Sequence, residues 1–223
     1  MKVSENLVSI QNKINAACDR VGRDKNEVKI IAVTKYVTVE RAQEAVEAGV
    51  DHLGENYDVG LLQKYEFLGD KPKWHFIGSL QTKKVKNIIN KIDYLHSLDR
   101  ISLAEEIQKR AEHPISCLIQ VNTSREDSKH GLTKENVIPF IQELQKYDTI
   151  RVIGLMTMAA FTEDKDEIRR CFRELKSLQM DIIQLKLLKT PCEHLSMGMS
   201  NDFEIAVEEG ATMIRIGTSL VGD

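Results

Sequence analysis

The chain has 223 residues, 42% hydrophobic and 29% charged, the composition of an ordinary globular protein long enough to bury a full core. Lys plus Arg number 31 and Asp plus Glu 34, so the net charge is −3 and the basic excess of a nucleic-acid binder is missing. No apolar run approaches membrane-spanning length, and the first residues, Met1 to Glu5, hold no apolar signal core.

In chain order, residues 4–22 carry Leu7, Ile10, Ile14, Ala17 and Val21 at helical spacing, with Ser4 as the expected N-cap and Gly22 as the stop. The run Lys29-Ile30-Ile31-Ala32-Val33-Thr34-Lys35 is short, apolar and β-branched, which predicts a buried strand with Lys35 at its end. Residues 38–49 read as a helix capped by Thr38 and stopped by Gly49, and residues 51–56 as a strand. The alternation continues with helices over 57–68, 82–91, 100–112, 134–147, 164–188 and 201–209. The matching strands lie at 73–78, 94–98, 115–122, 152–157, 193–197 and 213–217.

Eight strands, each followed by a helix except the last, with both faces of most strands apolar, predict parallel strands covered by helices. The expected fold is α/β, a single (β/α)8 TIM barrel over residues 1–223 with an extra N-terminal helix. An open doubly wound sheet is the runner-up, but its G-x-G-x-x-G loop is missing. The polar loop Asn122–Leu132 is a candidate rim or lid. The four cysteines, Cys18, Cys117, Cys171 and Cys192, form no C-x-x-C pair, so buried free thiols, no metal site and a reducing cytoplasm are expected.

A lysine closing a strand is usually a solvated boundary residue. At the mouth of an apolar site desolvation instead lowers its pKa, and the neutral amine attacks carbonyls to form a Schiff base. Barrel chemistry gathers at the C-terminal strand ends, which here supply Lys35, Asn56, His75, Asn122, Met156, Ser196 and Arg215. Two further stretches, Ser196-Met197-Gly198-Met199-Ser200 and Arg215-Ile216-Gly217-Thr218-Ser219, follow the last two strands. The first leads into a helix with a capping-box pattern, Asn201 and Glu204. Small residues there let backbone N–H groups approach a phosphate, and hydroxyls add donors. An imine-forming lysine opposite a phosphate anchor suits either pyridoxal 5′-phosphate (PLP) or a phosphorylated sugar cleaved by an aldolase. Arg215 favours PLP, since an arginine at the pyridine nitrogen keeps that nitrogen unprotonated.

The blocks Ala32-Val33-Thr34-Lys35, His52-Leu53-Gly54-Glu55-Asn56, Trp74-His75-Phe76-Ile77-Gly78-Ser79-Leu80-Gln81, His96-Ser97-Leu98-Asp99, Gly154-Leu155-Met156-Thr157-Met158, Leu195-Ser196-Met197-Gly198-Met199-Ser200 and Arg215-Ile216-Gly217 run in order across almost the whole chain. Together they resemble the pyridoxal-phosphate homeostasis protein family. The resemblance implies the barrel of bacterial alanine racemase without that enzyme's C-terminal β domain. It implies that Lys35 carries PLP as an internal aldimine, with Asn56 beside the cofactor and Arg215 facing the ring nitrogen. Ser196, Ser200, Gly217 and Thr218 would hold the phosphate, and His75 and Met156 would line the pocket. The family is associated with vitamin B6 and amino-acid homeostasis, without established robust turnover. Tyr36 and Tyr57 depart from the family pattern, next to the lysine and after Gly-Glu-Asn respectively.

A racemase needs a base on each face of the substrate α-carbon, and only Lys35 is evident. The reading is therefore a cytoplasmic, monomeric PLP carrier or regulator, with a racemase-like enzyme or a Schiff-base aldolase as alternatives. Delivery implies contact with apo PLP-dependent enzymes, for which Ser124–Lys129 and Lys83-Lys84-Val85-Lys86 are candidate surfaces.

Overall fold

Lys29–Val33 forms β1, as its β-branched composition requires, and seven more parallel strands follow. The computed structural model describes residues 2–124 and 130–222. Strands β2 (His52–Glu55), β3 (Lys73–Phe76), β4 (Tyr94–Leu98), β5 (Ile115–Gln120), β6 (Ile150–Met156), β7 (His194–Ser196) and β8 (Met213–Ile216) pair in sequence order. β8 closes on β1, giving an eight-stranded barrel. The open-sheet alternative is thereby excluded.

The helices are α1 (Val3–Val21), α2 (Val39–Glu47), α3 (Asp58–Leu68), α4 (Val85–Ile88), α5 (Ile101–Arg110), α6 (Lys134–Leu144), α7 (Lys165–Leu185), α8 (Phe203–Glu208) and α9 (Thr218–Val221). Gly22 ends α1 in the left-handed region at φ 68°, which a glycine adopts without a Cβ penalty. Thr38 caps α2 by accepting the Arg41 N–H. α1 packs beside α8 and α9, and the buried Asn6 side chain donates to the Leu220 carbonyl at 3.0 Å. The extra N-terminal helix thus pins α9, the short helix that follows β8.

Several boundaries differ from expectation. Ser4 does not cap α1: Lys2 occupies the cap, and the Val3 N–H bonds across to Glu44 Oε1 at 2.9 Å. The helix expected over 82–91 is one α turn between the 3-10 turns Thr82–Lys84 and Ile89–Lys91. Asn201 is not a cap either. Asp202 holds that position, and its carboxylate accepts the Met199 N–H at 2.5 Å, drawing the loop after β7 closed. The last strand does have a helix after it, α9.

Apolar residues fill two separate spaces. The larger core lies between strands and helices; the smaller, inside the barrel, is built on Ile31, Leu118, Met156 and Met213. The four cysteines are buried free thiols, and burial pushes Cys117 and Cys192 up to about 12. No helix among the described residues is long and apolar enough to cross a membrane.

Gly154 shows how close the strands come. A Cβ there would lie 2.0 Å from the carbonyl oxygen of its register partner His194. Gly154→Ala should force β7 off β6 and destabilise the protein by about 3 kcal/mol, the upper range for overpacking, read as a lowered urea midpoint.

Candidate functional site

Lys35 lies two residues beyond β1, where the Thr34 N–H still bonds to the Gly54 carbonyl at 3.0 Å. It is half-buried, with Nζ 5.7 Å from the Tyr36 ring centroid. Tyr36 follows at φ 66°, a left-handed conformation that costs a bulky residue about 1 kcal/mol and turns the chain sharply at the lysine. Tyr36 is 82% exposed, and its hydroxyl stands 3.4 Å from that of Tyr57. The two departures from the family pattern are therefore one feature, a tyrosine pair on the rim beside Lys35.

Under the rim lies a buried ionic brace. Glu55 Oε1 accepts from Thr34 Oγ1 at 2.6 Å and meets Lys64 Nζ at 2.9 Å, with both charged side chains nearly inaccessible. Thr34 and Glu55 immediately precede Lys35 and Asn56, so this brace from α3 fixes the ends of β1 and β2. Asn56 Oδ1 is buried with no hydrogen-bond partner among the described residues. Gly78 lets β3's continuation pass against it, since a Cβ there would sit 2.5 Å from the Asn56 carbonyl oxygen. A buried unpaired amide oxygen is destabilising unless a donor arrives.

On β8, which pairs with β1, Arg215 is almost wholly buried. Its Nη1 donates to Ser196 Oγ at 2.6 Å and its Nη2 to the Thr157 carbonyl at 2.9 Å. Burial lowers the guanidinium to about 10, with Asp202 opposing the shift, so it stays charged at neutral pH. The loops after β7 and β8 meet where Ser219 Oγ donates to Ser200 Oγ at 3.0 Å. Gly217 precedes the exposed Thr218 and Ser219 in the first turn of α9, where backbone N–H groups lack intrahelical acceptors.

Lys35, Asn56, Ser200, Gly217 and Thr218 thus follow the consecutive strands β7, β8, β1 and β2 at one mouth of the barrel, and Arg215 is the penultimate residue of β8. The Ser196 hydroxyl is turned inward to Arg215 and His96. His75 and Met156 lie in the barrel interior, His75 in the row of Gly54 and Tyr94 and Met156 in the interior cluster. Asn122 Oδ1 is occupied within its own loop by the Ser124 N–H and hydroxyl. Of the expected rim segment, Arg125–Lys129 lie outside the described residues.

The family model for the alanine racemase N-terminal domain matches residues 6–223. A pyridoxal phosphate homeostasis protein of Aquifex aeolicus is 41% identical over 100% of this chain and 99% of its own. The chain belongs to the pyridoxal phosphate homeostasis proteins, within the alanine racemase N-terminal domain family. A further homeostasis protein, from Escherichia coli K12, is 34% identical over 99% of this chain and 96% of its own. PipY of Synechococcus elongatus, solved with PLP bound, superposes with a TM-score of 0.85 at 28% identity, covering 99% of this chain and 100% of PipY. Alanine racemase from Corynebacterium glutamicum shares the fold alone, with a TM-score of 0.71 at 15% identity over 96% of this chain and 60% of that one.

Within this homeostasis-protein barrel, sequence reasoning missed several groups. Ser219 stands in a quoted block and was legible as a hydroxyl. Thr34 and Glu55 also lie in quoted blocks, but their partner Lys64 sits mid-helix with no local signal. Thr157, whose carbonyl holds Arg215, and Asp202, which closes the loop after β7, declare themselves only through contacts.

Proposed function

We propose that this protein binds pyridoxal 5′-phosphate as a Schiff base on Lys35 and serves PLP and amino-acid homeostasis as a one-domain carrier without committed turnover. The observation that carries the reading is that half-buried Lys35 and Asn56 follow the paired strands β1 and β2, and that the buried Oδ1 of Asn56 has no partner among the described residues and awaits a donor such as a ring hydroxyl. The residues present fit the cofactor. A planar, phosphorylated aldehyde needs one amine, one ring-nitrogen partner and one anion cradle, and Lys35, Arg215 and the Ser200–Ser219 pair with Gly217 and Thr218 offer these at one mouth. The family and the PLP-bound PipY relative support it further.

When bound, PLP supplies an aldehyde that condenses with amines and a ring that withdraws electrons. Arg215 donates hydrogen bonds and has none to accept, so it keeps a facing ring nitrogen unprotonated and the ring a weak electron sink. Ser200, Thr218 and the first N–H groups of α9 bind the phosphate. Tyr57 does not serve as a second base. The hydrogen bond to Tyr36 raises its phenol above the ordinary value, so the phenolate is scarce at neutral pH. A lysine in one mouth with Tyr57, whose phenol is held in the acid form, suits holding a ligand better than shuttling an α-proton.

Delivery to apo PLP-dependent enzymes by a monomer in the cytoplasm completes the proposal. Lys84 is held by Asp58 at 2.8 Å, which leaves the exposed Lys83 and Lys86 as the contact part of that basic run.

The test is the visible spectrum of protein loaded with PLP and freed of excess, beside Lys35→Ala. A yellow band that borohydride bleaches in the wild type, and that Lys35→Ala lacks, is the expected result. A band of equal strength in both proteins would remove Lys35 from the covalent role. Retained optical activity across a panel of L-amino acids is expected of the carrier; its steady loss would make the protein a racemase.

A further inference from the structure

Three histidines form a continuous wire inside the barrel. His52 Nδ1 lies 2.9 Å from His75 Nε2, His75 Nδ1 lies 2.8 Å from His96 Nε2, and His96 Nδ1 lies 2.8 Å from Ser196 Oγ. Ser196 Oγ in turn accepts from Arg215 Nη1 at 2.6 Å. The histidines come from β2, β3 and β4, and the strand register explains how they meet. His75 pairs with Gly54, two residues beyond His52, and with Tyr94, two residues before His96. Each strand therefore carries the wire one inward-facing position further, from the N-terminal rim of the barrel to the mouth. The Tyr94 ring stacks on His75 at 4.3 Å and 7°, which holds the middle imidazole in place.

We propose that His52, His75 and His96 are positioning residues for Arg215, all neutral and all in the Nε2–H tautomer, aligned in one direction by the arginine. The reasoning is donor counting. A guanidinium only donates, so Ser196 Oγ spends a lone pair on Arg215. A second lone pair remains, but the hydroxyl proton has His96 Nδ1 as its one acceptor among the described residues and so points there. His96 therefore carries its proton on Nε2 and donates to His75 Nδ1; His75 donates likewise to His52 Nδ1. The His52 Nε2–H is left at the base of the barrel. Every group from His52 Nδ1 to Ser196 Oγ is paired, and reversing any one ring would set two donors or two acceptors face to face. The consequence is that Arg215 is held by a hydroxyl whose lone pairs stay turned to it.

Burial dominates the charges around the wire, of which Lys29 and Lys73 lower His52 while Asp51 and Asp93 raise it. His96 is buried against Arg215, with His194 nearby. A proton added to any ring would put a donor against a donor, so the wire resists charging along its whole length.

The link to cofactor rests on the reading of Arg215 given above; the wire itself is tested without cofactor. Nitrogen-15 spectra of the imidazoles in cofactor-free protein report tautomer and charge directly. Single-histidine variants His52→Gln, His75→Gln and His96→Gln assign the signals. The expected result is three neutral Nε2–H rings from pH 7.5 to 5.5. Ser196→Ala, which deletes the group that sets the direction, should give mixed tautomers at His96 and His75, and Ser196→Thr should restore the single form. Tautomers unchanged in Ser196→Ala, or His75 or His96 titrating near pH 6.5 in the wild type, would overturn the proposal. Were the wire found as described in a protein that takes up no PLP, the cofactor reading alone would fall.

Discussion

Between pH 6.5 and 5, unfolding free energy should drop by about 3 kcal/mol on account of two residues, His75 and His96. Both are fully buried, and burial holds both well below the ordinary imidazole range; the neighbouring imidazoles deepen the shift for His75 and Arg215 deepens it for His96. In the unfolded chain each takes up a proton near pH 6.5, while in the folded protein neither does. Their contribution to stability is therefore fully present above that pH and is lost as pH falls toward their folded values. Each missing proton is worth about 1.4 kcal/mol per pH unit, so the pair gives a slope of about 3 kcal/mol per unit. His194, lowered to about 4 chiefly by burial, and His52 add in the same direction. Asp202, raised by burial, works in the opposite sense, but only near the carboxylate range. The protein should thus unfold in acid well before its surface carboxylates titrate. Urea titrations at pH 7.5, 6.5, 5.5 and 5.0 measure the slope, and His96→Gln should halve the share due to this pair. A flat profile down to pH 5 would mean that the interior histidines accept charge.

Lys64→Met should lower stability by about 3–5 kcal/mol, the loss expected when one partner of a buried ion pair is removed and the other is left charged. Lys64 and Glu55 are 2.9 Å apart with side-chain exposures of 6% and 1%. Without the ammonium, the Glu55 carboxylate keeps only the Thr34 hydroxyl. It is then left buried without its ionic partner. The double variant Glu55→Leu with Lys64→Met removes both charges and should recover most of the loss, since a buried pair is worth little against apolar packing of like volume. The pair's larger role is placement. Thr34 and Glu55 hold the strand ends that carry Lys35 and Asn56, so the double variant, though stable, should hold PLP less tightly than the wild type. Chemical denaturation gives the first quantity and cofactor retention on desalting the second. Equal retention in the two proteins would reduce the brace to a packing feature.

The alternation of apolar runs with helical stretches sufficed to specify an eight-stranded parallel barrel, because each unit must bury both faces of its strand. Local chemistry sufficed for Gly22 and Thr38, where one residue's backbone or hydroxyl decides the outcome. It failed at Ser4 and Asn201. The Val3 N–H finds a distant glutamate instead, and Asp202 reaches back to Met199, both choices settled by packing. For the mouth, the sequence by itself placed the candidate residues within two positions of each strand end, and hence a lysine, an asparagine, an arginine and two small-residue loops on one face. Only the tertiary structure decided what each side chain meets. His52, His75 and His96 stand 23 and 21 residues apart, a spacing that means nothing along the chain. They touch because the stagger of a closed barrel advances inward-facing positions from strand to strand. Lys64 reaches Glu55 because α3 folds back over the strand it follows. Strand ends follow from local pattern; contacts across the barrel follow from register, which is a property of closure and not of any short stretch of sequence.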